Sequence, residues 1–154
     1  MPDDADALRR IAVGYAAAVD TLDGTAFADL FTPDGELWVP RPGGDGTPTA
    51  RRAGRTQLEE IPSGLARYHA THHGVFGTTY DVDGAAASGA VVGVAHHLAA
   101  DRDVGSSGGI DTIWYLRYDD DYVRVGGRWL LARRALHLRD VEERRVGRLG
   151  PGRS

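Results

Sequence analysis

Residues 67–99 read RYHATHHGVFGTTYDVDGAAASGAVVGVAHHLA. Five of the six histidines of the chain lie in this stretch, in two groups on either side of Asp83-Gly84. Asp-Gly is a hairpin signal, and the residues around it follow the spacing of strands rather than of a helix. The stretch therefore predicts two antiparallel strands, from about Tyr68 to Val82 and from about Ala87 to Ala99. Such a pair can bring one histidine of each group into a shared pocket, which Asp20, an acid on an early helix, would serve.

Working outward, Leu8, Ile11, Ala12, Tyr15, Val19 and Leu22 recur on one face of an amphipathic helix, with Asp3, Asp4 or Asp6 as its cap. Asp20 sits near the C-terminal end of that helix, off the centre of the apolar stripe. An anion there opposes the helix dipole, at a cost on the order of 0.3–1 kcal/mol unless it is compensated. A solvated helix-end aspartate and a functional one are both compatible with the spacing. Asp23 precedes a short second helix and is placed to cap it. Glu36 to Pro40 reads as a strand with Leu37 and Val39 on one face and Glu36 and Trp38 on the other. Arg41 to Gly54 and Asp101 to Gly109 read as flexible loops of a length that can form lids. Between them Thr56-Gln57-Leu58-Glu59 fits a capping box, so a short helix is expected near Thr56, ending by Pro62. Ile110 to Val125 and Arg128 to Leu138 are strands joined by Gly126-Gly127. Helices first and antiparallel strands after describe an α+β domain over residues 1–145, with a flexible tail at 146–154.

Bulk properties narrow the function classes. A net charge of −4 leaves no electrostatic footprint for nucleic acid or an anionic membrane. The absence of cysteine excludes disulfides, thiolate metal sites and a cysteine nucleophile. No apolar run approaches the roughly 20 residues of a bilayer span. The N-terminus is acidic where a secretory signal would be basic, so a cytoplasmic location is expected.

Four segments together resemble the SnoaL-like branch of the nuclear transport factor two superfamily. They are Tyr15 to Asp23, Phe31-Thr-Pro-Asp-Gly35, Asp83-Gly84, and Tyr118 to Trp129, within a similarity that spans roughly residues 5–140. The resemblance implies a cone-shaped barrel, a curved and mostly antiparallel sheet closed by N-terminal helices around a deep pocket. It also implies a homo-oligomer, dimer or trimer. Val19-Asp20-Thr-Leu-Asp23 is similar to the segment carrying the catalytic aspartate in scytalone dehydratase and hexachlorocyclohexane dehydrochlorinase. Thr71-His72-His73-Gly74 is similar to the strand carrying their catalytic histidine, which puts that role on His73. Gly89 to His97 matches the next strand of the dehydratase and gives a second role to His97.

Strand parity agrees with these assignments. With His97 inward, Ala95, Gly93 and Val91 face inward too, and they are small, as a cavity requires. Val92, Val94, His96 and Leu98 form a bulkier outer face suited to a second subunit. With His73 inward, Thr71 and Val75 follow and His72 turns outward.

The resemblance implies a cofactor-independent lyase acting on a small hydrophobic or polyketide-like substrate by dehydratase-type elimination. Asp20 would orient His73, and His73 would take a proton near neutral pH. His97, with Tyr118, would polarise a carbonyl or protonate a departing hydroxyl. Trp38, Tyr15, Tyr118 and Arg124 are the expected substrate contacts, although Arg124 at a hairpin end also fits a surface ion pair. A polyketide cyclase or isomerase would use the same dyad, and a non-catalytic ligand-binding or dimerising subunit would use none of it. A metal site built from His69, His73 and His97, which share strand parity where they can be compared, is the chemical rival.

Overall fold

The structure is a computed structural model that describes residues 3–41, 43–45, 47–102 and 106–152. Helix α1 (Asp4–Asp20) starts where the Asp3 carboxylate accepts from the Ala5 amide, and it buries Leu8, Ile11, Ala12, Tyr15 and Val19. Asp23 caps α2 (Gly24–Ala28) through the Ala26 amide at 2.9 Å. Asp3 is one of the three caps expected for the first helix, and Asp23 caps the second as expected.

Six strands follow: β1 (Phe31–Pro40), β2 (Pro48–Ala53), β3 (Ala70–Asp83), β4 (Ala86–Ala100), β5 (Gly109–Val125) and β6 (Arg128–Val146). They form one sheet in the order β2-β1-β6-β5-β4-β3, with β1 parallel to β6 and every other neighbouring pair antiparallel. This is the α+β architecture expected, but β2 and β3 are edges of an open sheet. The cone is closed by helices packing on its inner face, α1 against β3 above all, and not by a ring of hydrogen bonds. Gly126 and Gly127 both have positive φ, 56° and 80°, which a two-residue turn between right-twisted strands requires.

Several boundaries differ from expectation for definable reasons. Residues Pro48–Ala53 of the loop expected at 41–54 are strand β2, because Ala50 to Ala53 find partners on β1 from Val39 back to Glu36. The helix near Thr56 is α3 (Gly54–Glu59), and the capping box is not used; the Gln57 side chain instead accepts from the Ala53 amide at 3.0 Å. A 3-10 turn, Pro62–Leu65, leads into β3. Strand β6 runs eight residues beyond Leu138 because the start of β5 gives it a partner as far as Val146. The tail expected to be flexible is tied down in its described part: the Leu149 amide donates to the Ser107 carbonyl, and His69 meets the Gly150 carbonyl at 2.9 Å. Of the second expected loop, residues 103–105 lie outside the described residues.

The β3–β4 pairing slips between Val75 and Gly77. Before the slip, Thr71, His73 and Val75 face inward; after it, Tyr80 does, packing edge-on against buried Tyr122. The bulge leaves Phe76 on the outside, 72% exposed. Gly93 on β4 sits so close to β3 that a Cβ there would come within 2.6 Å of the Gly74 carbonyl oxygen.

Candidate active site

Helix α1 ends on Asp20, and its carboxylate crosses to β3. Oδ1 accepts from the Thr71 hydroxyl at 2.8 Å and from His73 Nδ1 at 2.7 Å, while Oδ2 accepts from the His73 backbone amide at 2.8 Å. The three donors explain how an acid is tolerated at the carbonyl end of a helix. Burial alone would raise its carboxyl pKa, but the hydrogen bonds from the His73 ring, the His73 amide and Thr71 together hold it below the usual aspartate value. A carboxylate only accepts, so the proton of neutral His73 is on Nδ1 and the lone pair is on Nε2. Nε2 makes no hydrogen bond among the described residues, and the ring lines the interior of the cone.

His97 stands opposite Thr71 in the β3–β4 ladder, with its ring edge-on to that of His73 at 5.8 Å between centroids. It is 1% exposed, walled by Tyr68 and Trp114. Its Nδ1 faces the Thr112 carbonyl at 3.1 Å, and since a carbonyl only accepts, this ring too carries its proton on Nδ1. Burial lowers its pKa and favours the neutral form. Nε2 of His97 is therefore an acceptor. The expected role as a proton donor does not fit this tautomer.

Tyr15 and Tyr118 meet edge-on at 5.5 Å and line the same interior as His73. Burial raises both phenol pKa values, so both remain protonated donors. Between them lies a residue that the sequence did not single out. The Arg134 guanidinium is 4.3 Å from the Tyr15 ring centroid and 4.4 Å from that of Tyr118, and it forms a two-point pair with Asp120 at 2.8 and 2.7 Å. Tyr122 Oη donates to the same carboxylate at 2.6 Å. The available signal was parity: of Asp119, Asp120 and Asp121, only the middle one shares the inward face of Tyr118 and Tyr122. The space enclosed by Tyr15, Ala16, His73, Val91, Tyr118 and Arg134 is small, about 10 Å³, or room for about one water.

Two expected contacts lie elsewhere. Trp38 is on the outer face, opposite Ala135, with the Arg133 guanidinium 4.7 Å over its ring and its Nε1–H donated to Glu36. Its parity was read correctly, but the face it shares with Glu36 is the one turned from the core that Leu37 enters. Arg124 is at the hairpin end of β5, paired with Asp4 and stacked on Trp129 at 4.5 Å. Eight residues of strand, roughly 26 Å, separate it from Leu116 at the cavity. Nor do the histidines converge as a metal centre: His69 is bound to Gly150, His73 to Asp20 and His97 to Thr112. Among the described residues no three histidine or carboxylate side chains are arranged to hold a metal ion.

Comparison with known proteins agrees with this architecture. The profile of the SnoaL-like domain matches residues 3–135. No curated protein matches the sequence. Among solved structures, an aspartate-to-asparagine variant of Rv3472, a protein of unknown function from Mycobacterium tuberculosis, is 26% identical with a TM-score of 0.71, covering 88% of this chain and 72% of its own. A scytalone dehydratase candidate from Novosphingobium aromaticivorans is 23% identical with a TM-score of 0.75, covering 96% of this chain and 92% of its own. Hexachlorocyclohexane dehydrochlorinase LinA type 2 is 14% identical with a TM-score of 0.76, covering 96% and 93%. Matched over most of its length and built on the same open, helix-capped cone, the chain belongs to the SnoaL-like domain family.

Proposed function

We propose that the protein is a lyase of the dehydratase or dehydrohalogenase type, with Asp20 and His73 as its acid–base pair. The observation that carries this reading is the fixed tautomer: three donors bind the Asp20 carboxylate, one of them His73 Nδ1, which leaves Nε2 unprotonated in the cone. A base so placed takes a proton from carbon; the C–H electrons become the new π bond, and the group on the neighbouring carbon leaves with its electron pair. Tyr118 and Tyr15, both protonated, are the donors available to that group, and His97 Nε2 accepts from a substrate hydroxyl. An isomerase would use the same base and return the proton to another carbon.

A second reading, a non-catalytic subunit with a filled cone, is favoured by the cavity of about 10 Å³. Turnover on this site requires side chains around the cavity to move before a ring-sized molecule enters. A substrate panel separates the two readings. It contains scytalone, hexachlorocyclohexane and simple β-hydroxy ketones, offered to the wild type, His73→Ala and Asp20→Asn. Elimination lost in both variants supports the dyad; elimination that survives both refutes it.

A further inference from the structure

We propose that the cleft between the start of α1 and the β5–β6 hairpin binds a small amphipathic carboxylate. The cleft encloses about 470 Å³, within the range of about 300–1,000 Å³ typical of small-molecule sites. It shares no lining residue with the cavity around His73 and lies at the other end of β5. Its apolar walls are Ile11, Leu30 and Leu130, beside the buried Trp129 indole.

The charges decide the ligand class. Arg10, Arg124 and Arg128 line the cleft together with Asp4 and Asp29. Both acids are already engaged: Asp4 accepts from Arg124 and from Trp129 Nε1, and Asp29 pairs at 2.8 Å with Arg55, which Glu59 shares at 2.9 Å. That leaves Arg10 and Arg128 with no carboxylate partner among the described residues, Arg128 reaching only the Asp29 carbonyl at 3.5 Å. With three arginines against two aspartates, the lining carries one more positive than negative side chain over its apolar wall. Guanidinium forks match a carboxylate geometrically. The apolar wall has nothing to offer a bare inorganic anion, so the fitting ligand has a short hydrocarbon or ring body as well as the charge.

The test uses octanoate as the probe and 1-octanol as its uncharged counterpart, with the indole N–H cross-peaks of the ¹⁵N-labelled full chain as the readout. Trp129→Phe assigns the Trp129 peak. Octanoate is expected to shift that peak saturably, with the effect weakened by added salt and absent with 1-octanol. Arg10→Gln with Arg128→Gln is expected to weaken binding on the order of tenfold, the loss of two partly exposed charge contacts. Arg52→Gln with Arg148→Gln, a control of equal charge change on exposed arginines outside the cleft, is expected to leave it unchanged. The proposal is overturned by equal binding of 1-octanol, by no saturable shift at Trp129, or by a shift confined to Trp114. Equal losses in the two double variants also overturn it, since that would be an effect of net charge. Because the cleft stands apart from His73, any of these results leaves the reading of the dyad untouched.

Discussion

Asp20→Asn perturbs the site at its hinge, because it changes what the side chain can do without changing its size. Among the described residues the native carboxylate accepts from three donors: Thr71 Oγ1 and His73 Nδ1 on one oxygen, the His73 amide on the other. A carboxamide offers one accepting oxygen and a donating NH₂. If the oxygen stays with the His73 amide, the NH₂ faces His73 Nδ1, and the ring must move its proton to Nε2. If the oxygen stays with Nδ1, the NH₂ confronts the backbone N–H where the carboxylate sat at 2.8 Å. The second arrangement opposes two donors, so the first should prevail. The expected consequence is an inverted tautomer and a turnover reduced on the order of 10⁴-fold, as when a triad histidine is held in the wrong tautomer. The stability loss should be about 1–3 kcal/mol, the cost of unmaking charge-assisted bonds at a partly buried site. Long-range ¹H–¹⁵N spectra of the histidine rings read the tautomer without any substrate. The wild type should give a protonated Nδ1 and a bare Nε2 at His73, and the variant the reverse. The pH dependence has a definite sign. Asp20 is held below the ordinary value of about 3.9, so its contribution is fully present above that value and is lost as pH falls through the folded one. The stability gap between wild type and variant should thus close only below about pH 4. A wild-type His73 protonated on Nε2, or an Asp20→Asn protein with unchanged tautomer and stability, would refute this account.

Two further outcomes follow from the interior. Asp120→Ala strands the Arg134 guanidinium, 1% exposed, without its counter-charge; the cost should be about 3–5 kcal/mol, a fall in Tm of roughly 10 °C. Asp120→Leu combined with Arg134→Met should recover most of that loss, and calorimetry showing no loss in the single variant, or no recovery in the double, would count against a buried pair. His97 should titrate below the ordinary histidine value of about 6.5, because burial disfavours its charged form. Its lowered pKa favours the folded state above the unfolded value and withdraws that contribution as pH falls, and ring ¹³C shifts that titrate at or above pH 6.5 would contradict this.

The sequence made the two histidine strands legible because alternation is a strict rule as long as the ladder is regular. Asp83-Gly84 fixed the turn, the ladder pairs Thr71 with His97, and the inward set Val91, Gly93, Ala95 and His97 follows by parity alone. Beyond Val75 the same rule fails, since the bulge flips the strand and brings Tyr80 inside. A one-residue slip has no signature in a stretch as permissive as Val75-Phe76-Gly77. Trp38 shows a different limit: parity separated its face from that of Leu37, but only the parallel pairing of β1 with β6 says which of the two faces is the core. Arg134 was hidden for a third reason. An arginine beside another arginine reads as solvated surface, and what buries it is a carboxylate fourteen residues earlier on a neighbouring strand.

The distance between Asp20 and His73 in the chain bears on whether their contact is a brace or a machine. As a brace, the carboxylate needs only the Thr71 hydroxyl and the His73 amide, which already tie the end of α1 to β3 and offset a dipole penalty on the order of 0.3–1 kcal/mol. Any residue but proline at position 73 supplies that amide. The imidazole adds a third bond whose structural benefit is small, and its Nε2 makes no hydrogen bond among the described residues. A brace gains nothing from that lone pair, whereas a proton acceptor depends on it. His73→Ala and Asp20→Asn consequently separate the two roles: the first keeps both bracing bonds and removes the base, the second removes the charge and reverses the donors at the oxygen shared by Thr71 and His73 Nδ1. A SnoaL-like domain that uses this pair for chemistry should lose activity in both and substantial stability only in the second.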